Sequence, residues 1–224
     1  MVIQIKSHVL YYEHTGEGRP LILLHGNKED HHIFDELISE LEGSFEIFAL
    51  DSRGHGMSAK EDEYHYSDMA EDVTGFIEAL HIERPLLVGY SDGGIIALLV
   101  GIGHSELISG IIACGPNLNP KALTLSTRME IKREYRKDKD PRTLMMLNEP
   151  DIRESELGQI SVPTLIMAGE KDIAKKSHFE KIAAAVPGGR LEMVTGADHG
   201  SYVVHSTNLA EVVLREVSSV PDTK

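Results

Sequence analysis

Tryptophan is absent from this chain of 224 residues, cysteine occurs once, at Cys114, and no apolar run approaches the length of a membrane span. A single cysteine excludes an intramolecular disulfide, so a buried core must hold the fold. A spanning helix needs about 20 consecutive apolar residues, so no membrane partner is expected. Positive charge is scarce as well: 22 Lys and Arg stand against 36 Asp and Glu, a formal net charge of -14 with histidine neutral. General affinity for nucleic acid or anionic lipid depends on basic surface, so neither is expected. The start, Met1-Val2-Ile3-Gln4-Ile5-Lys6, alternates like a strand. It lacks the charged start, apolar block and small-residue cleavage site of a signal peptide, so a cytoplasmic location is the simplest expectation.

The length suits one domain over residues 1–224, and 41% hydrophobic with 26% charged residues is a globular composition. Short apolar runs and helical periodicities alternate. Strands are expected at Val2–Ser7, Val9–His14, Leu21–Leu24, Phe45–Leu50, Leu86–Val88, Ile108–Ala113, Thr164–Ala168 and Leu191–Val194. Helices are expected at His31–Leu41, Asp68–Leu80 with Ser67 as cap, Gly93–His104, Phe179–Val186 and Asn208–Val217, and Ser218–Lys224 reads as a frayed tail. This alternation predicts an α/β fold with a mainly parallel central sheet flanked by helices. Residues 119–159 break the rhythm, with helical pieces and no strand. A plain loop of that length is uncommon, so a small helical cap insertion is expected.

The stretch Gly89-Tyr90-Ser91-Asp92-Gly93 lies where an apolar strand gives way to an apolar helix. A tight strand-to-helix turn with small neighbours lifts a serine hydroxyl above the sheet edge. Free N–H groups at the helix start, that of Asp92 first, favour developing negative charge there. Serine is a weak nucleophile without a base. His199, in Gly196-Ala197-Asp198-His199-Gly200-Ser201, follows the last strand, and Asp172, in Ala168-Gly169-Glu170-Lys171-Asp172, follows the one before. Residues after successive parallel strands gather at the carboxyl edge, so Ser91, Asp172 and His199 can meet. Glu170 is a second acid nearby, and Asp172 is preferred. For a second oxyanion donor, Leu23-Leu24-His25-Gly26-Asn27 offers the Asn27 N–H, with Lys28 the second choice.

These motifs together resemble the α/β-hydrolase fold family. Gly89 to Gly93 matches its nucleophile elbow, the order Ser, Asp, His matches its triad, and His25-Gly26 resembles its oxyanion loop. Asp51-Ser52-Arg53-Gly54-His55-Gly56-Met57-Ser58 resembles its D-x-R-G-x-G-x-S loop, and the likeness runs from about Pro20 to about Leu214. The acidic Asp92 after the serine and the compact insertion depart from the pattern. The resemblance implies a compact serine esterase acting on a small-molecule acyl substrate without a cofactor. Lyases, C–C bond hydrolases, perhydrolases, thioesterases and ligand-binding receptors share the fold and stand as alternatives.

Other features have plainer readings. His31 and His32, adjacent in a helix, should diverge, and no Cys/His set has zinc spacing, so no metal site is expected. Asp51 and Arg53 suit loop anchoring. The basic run from Arg128 to Lys137 could attract an anionic substrate, but a solvated helix of mixed charge is preferred. Lys28, Met145 and Met146 are the candidate pocket residues. Oligomeric state is left open.

Overall fold

In the computed structural model, residues 1–219 are described. Eight strands form one sheet: β1 Val2–Ile5, β2 His8–Thr15, β3 Arg19–Leu24, β4 Phe45–Asp51, β5 Leu86–Tyr90, β6 Gly110–Cys114, β7 Thr164–Lys171 and β8 Arg190–Asp198. Their order is β1-β2-β4-β3-β5-β6-β7-β8. The first two pairings are antiparallel and the rest parallel. From β3 the chain steps outward to β4, then crosses back to β5 on the other side of β3. That reversal opens a crevice at the carboxyl ends of β3 and β5, where parallel α/β sheets bind ligands.

Side chains alternate across the sheet, as the two-residue period requires. Leu21 and Leu23 face one core, while Ile22 and Leu24 face the other. Helices α1 (Asp35–Leu41) and α8 (Ala210–Ser219) belong to the layer that packs with Leu21 and Leu23, through residues such as Leu37, Leu41 and Val213. Helices α2 (Tyr66–Ala79) and α3 (Asp92–His104) cover the other face through Phe76, Ile95 and Leu98. Between β6 and β7 come α4 (Leu125–Asp138), α5 (Pro141–Asn148) and α6 (Glu154–Leu157), and α7 (Lys176–Ala185) follows β7. Residues 119–159 thus carry three helices, introduced by a short 3-10 turn at Pro120–Ala122.

Several expected boundaries are corrected. The segment from His31 is not one helix: His31–Phe34 is a 3-10 turn capped by Asp30, and the α-helix begins only at Asp35. Asp51 anchors this turn: its Oδ1 accepts from the His31 N–H at 2.9 Å and from His31 Nδ1 at 2.7 Å. Helix α2 starts at Tyr66 with His65 as N-cap, rather than at Asp68 with Ser67 as cap. Its Tyr66 N–H is satisfied from outside, by Glu149 Oε2 at 3.1 Å. Strands β7 and β8 run further than the apolar runs suggest, because Lys171 pairs with Asp198 past a bulge between Gly169 and Lys171. Helix α8 extends to Ser219, so the expected frayed tail is helical at its start, and 220–224 lie outside the described residues.

Candidate active site

Strand β5 ends at Tyr90 and α3 begins at Asp92, so Ser91 alone makes the turn. Its backbone sits at φ 53° and ψ -111°. A non-glycine residue held at positive φ costs about 1–3 kcal/mol, which the surroundings must offset. They do so with hydrogen bonds on both sides. Ser91 N–H donates to Cys114 O at 2.8 Å, Ile95 N–H donates to Ser91 O at 3.1 Å, and Gly93 N–H donates to His25 O at 3.1 Å. The flanking glycines are steric necessities. A Cβ on Gly89 would lie 2.1 Å from the Gly93 carbonyl oxygen, and one on Gly93 would lie 2.0 Å from that of Leu24.

Three side chains meet at this turn. His199 Nε2 lies 3.0 Å from Ser91 Oγ, and His199 Nδ1 lies 2.8 Å from Asp172 Oδ1. Asp172 follows β7 directly and His199 follows β8 directly. The Asp172 carboxylate is 1% exposed and is oriented by two further donors, the N–H groups of Ile173 at 2.7 Å and Gly169 at 3.1 Å. Glu170, the other acid of the segment, points elsewhere and accepts from the Gly196 N–H at 2.7 Å. Gly115, at φ +63°, leaves room for the imidazole: a Cβ there would lie 2.7 Å from His199 Cε1. Tyr90 flanks the same ring, with centroids 5.1 Å apart.

The role of Asp92, obscure in the sequence, has a structural account. Its buried carboxylate accepts from Asn27 Nδ2 and from the Tyr66 hydroxyl, each at 2.8 Å. Burial pushes this carboxyl above its usual range, while the two donors and the nearby His199 pull it back. Burial and Asp92 both push the Tyr66 hydroxyl well up, so it stays a donor. The pair joins the Asn27 loop to the Ser91 turn, bringing the chain around the two expected oxyanion donors together. The Asp92 N–H, at the first position of α3, has no acceptor inside the helix. His25 braces the same loop: Nδ1 is 2.7 Å from Gly26 O, and Nε2 accepts from the Ser52 N–H at 3.0 Å.

Sequence reading missed Tyr66 and Glu29. Tyr66 is distant along the chain and belongs to a helix with no motif of its own. Glu29 accepts from the Gly26 N–H at 3.1 Å, and burial raises its carboxyl. Only the fold of the loop after β3 turns it inward.

Of the candidate pocket residues, Lys28 Nζ is engaged by the insertion, 2.7 Å from Glu134, 3.1 Å from Asp138 and 3.6 Å from Asp140. Met145 is buried in the core between insertion and sheet. Met146 is half-buried and lines a cavity of about 240 Å³ with Ile131, Leu123 and Lys132. Asp51 and Arg53 anchor loops. Arg53 holds Asp72 in a two-pronged pair at 2.6 and 2.7 Å, and Asp51 Oδ2 accepts from the Met57 N–H at 2.8 Å. The expectation that His31 and His32 diverge is corrected: in the 3-10 turn their rings lie 4.1 Å apart. With Asp30 their donor atoms fall within 4.8 Å of one another. Asp51 already holds His31 Nδ1, and Asp30 caps the His32 N–H at 3.0 Å. No helix among the described residues is long and apolar enough to cross a membrane.

A family profile described as alpha/beta hydrolase fold matches residues 19–140. The chain is 27% identical to the AB hydrolase superfamily protein YisY of Bacillus subtilis, over 89% of this chain and 92% of that one. It is 26% identical to the human serine hydrolase BPHL, over 90% of this chain and 80% of that one. Among solved structures, the esterase EaEST from Exiguobacterium antarcticum superposes with a TM-score of 0.84 at 23% identity, covering 97% of this chain and 99% of that one. At that identity the superposition speaks for the fold. Eight strands in this order, the crevice at the switch point and these relatives agree: the chain belongs to the alpha/beta hydrolase fold family and is an enzyme of that family.

Proposed function

We propose that the protein is a serine hydrolase that cleaves a small carboxylic ester or related acyl compound. One observation carries the reading: a continuous line of hydrogen-bonding atoms from Asp172 through His199 to Ser91, at 2.8 and 3.0 Å, ending on a residue held at φ 53°. A serine with a base in contact, and a base oriented by a buried carboxylate, form the minimal nucleophile-activating set.

Ser91 Oγ attacks the acyl carbon as its proton passes to His199 Nε2. Asp172 keeps Nδ1 protonated and stabilises the imidazolium. The N–H groups of Asn27 and Asp92 receive the tetrahedral oxyanion, preorganised by the Asn27–Asp92–Tyr66 side-chain contacts. His199 then protonates the leaving alkoxide, and the acyl-Ser91 ester remains. Water, deprotonated by His199, attacks that ester, releases the carboxylic acid and restores the serine. No cofactor enters this sequence. The insertion serves as a short cap over the acyl group, tied down by Lys28 and filled from beneath by Met145 and Met146.

The test is labelling with a fluorophosphonate, followed by turnover of a panel of aryl and alkyl esters of graded acyl length. Stoichiometric labelling at Ser91 with ester turnover is expected, and Ser91→Ala should lose both, with turnover down at least about a thousandfold. Labelling at a different serine overturns the nucleophile. Labelling at Ser91 with no turnover of any ester overturns the ester reading and returns the fold's other chemistries to consideration.

A further inference from the structure

Away from the Ser91 turn, the insertion and α7 enclose a groove of about 330 Å³. Lys121, Arg128, Lys175 and Lys181 line it, with Ser177 and His178, and no carboxylate is among the lining residues. In a chain of net charge -14, four cations around one hollow are a local inversion of the whole. Among the described residues, Lys121, Arg128 and Lys175 have no carboxylate within ion-pair distance, although Arg128 is only half exposed. Lys181 has a distant one, Glu154 at 3.9 Å, and neighbouring Lys176 reaches Glu180 at 3.7 Å.

The helices add to the inversion. Thr124 and Leu125, at the N-terminus of α4, line the groove, as do Lys175, Ser177 and His178 at the N-terminus of α7. Helix N-termini ordinarily carry acidic residues that offset the positive end of the dipole. Neither first turn here contains one, and α7 instead opens on Lys175 and Lys176 with no side-chain cap. Cations at a positive helix end cost stability unless an anion sits among them. His178 fits the same pattern. Its Nε2 accepts from the Leu118 N–H at 3.2 Å, which leaves Nδ1–H as a donor. Burial and the nearby Lys181 hold the ring neutral.

We propose that this groove binds a phosphorylated small molecule. A phosphoryl group offers three oxygens and up to two charges, which suits four cations gathered beside two helix N-termini. The groove is larger than a bare phosphate, and Ala122, Leu123 and the exposed Leu125 give an organic portion an apolar seat. The site bridges the insertion to the segment after Asp172. Leu123 pairs with Ala174, and the Thr124 N–H donates to Ile173 O at 2.8 Å. A bound phosphate ester would clip Lys121 and Arg128 of the insertion to Lys175 and Lys181 of the sheet-packed helix. The proposal concerns binding alone and stands whether or not Ser91 is the nucleophile.

The test is calorimetric titration of the full chain with phenyl phosphate at low ionic strength, with benzoate as the monoanionic comparison. Saturable one-to-one binding of phenyl phosphate is expected, at least tenfold tighter than benzoate. The charge-neutralising pairs Lys121→Gln with Arg128→Gln, and Lys175→Gln with Lys181→Gln, should each weaken it at least tenfold. Lys6→Gln with Lys60→Gln, an equal charge change away from the groove, should leave it within twofold. The two groove pairs draw on different elements, so a folding defect in one leaves the other informative, and far-ultraviolet circular dichroism checks both. Absence of saturation overturns the site. Equal weakening by the control pair overturns it in favour of general charge attraction, and equal affinity for benzoate overturns the phosphoryl assignment.

Discussion

Helices α3 and α4 are nearly the same length, 13 and 14 residues, yet nine residues of α3 are buried and one of α4 is, Ile131. Ile95, Ile96, Leu98 and Val100 fix α3 against the sheet, each contributing about 1.5–3 kcal/mol by leaving water. Helix α4 is held instead by charges at its end: Lys28 against Glu134, Asp138 and Asp140, with Arg142 bridging Asp140 at 2.7 Å and Gly54 O at 3.0 Å. Partly exposed pairs of this kind contribute about 0–1 kcal/mol each. The edge that presents Ser91 is thus rigid by burial, while the insertion beside it is fastened by contacts that salt and pH can loosen.

The sharpest way to break the comparison is at the acid. Asp172→Asn should fold, because the amide keeps one oxygen for the Ile173 N–H, but its NH2 would face the Gly169 N–H and the imidazole would lose its orienting carboxylate. Ester turnover should fall by about three to four orders of magnitude, far more than the roughly 1–3 kcal/mol of stability lost with the Gly169 N–H acceptor. Comparable loss in Glu170→Gln, with Asp172→Asn active, would reverse the choice of acid. Next in size is Gly93→Ala. Its Cβ would lie 2.0 Å from the Leu24 carbonyl oxygen, and backbone cannot yield as a side chain does. Destabilisation of at least about 3 kcal/mol is expected from urea unfolding, together with lost labelling. Unchanged stability would show that the elbow is looser than its geometry.

Acid should act through the buried histidines. Burial lowers His55 to about 3, the nearby His25 contributes to the shift, and the buried His55 Nε2 has no hydrogen-bond partner among the described residues. Below about pH 6.5 the unfolded chain takes a proton that folded His55 refuses. Stability present above that pH is therefore lost as pH falls toward 3, by up to about 1.4 kcal/mol per unit for one such group. Urea midpoints between pH 7 and pH 4.5 should fall steeply, and less steeply in His55→Gln. An identical slope in the variant would assign the acid sensitivity elsewhere. The smallest effect belongs to the insertion. Lys28→Gln should cost under about 1 kcal/mol of global stability, yet raise the rate of proteolytic nicking within 119–159 several-fold, as 0.5 M salt should in the wild type. Equal nicking of variant and wild type at low salt would mean that packing of Met145 and Ile131, not charge, holds the insertion.

Much of the fold was legible because it rests on local signals. The runs Leu21 to Leu24, Leu86 to Val88 and Ile108 to Ala113 read as strands, the last observed as Gly110–Cys114, and the alternation with helices pointed to a mainly parallel sheet. The elbow, and the acid and histidine after later strands, could be read because a parallel sheet gathers strand ends at one edge. Where expectation slipped, a partner distant in sequence meets the shifted boundary. Asp51 anchors the 3-10 turn at His31, Glu149 receives the Tyr66 N–H where α2 begins, and the Lys171–Asp198 pairing lengthens two strands.

By itself, then, the sequence determined the strand and helix pattern and the glycines that only a crowded turn requires, and it named Ser91, Asp172 and His199 as a candidate set. These follow from periodicity and sterics, which act over a few residues. Tertiary structure alone decided that Glu170 turns away to the Gly196 N–H, and that Asp92 is held by Asn27 and Tyr66. It also decided that Lys28 ties down the insertion and that four cations from two segments share one groove. Hydrogen bonds and charges between segments depend on distances of a few ångströms, and only the closed fold sets those.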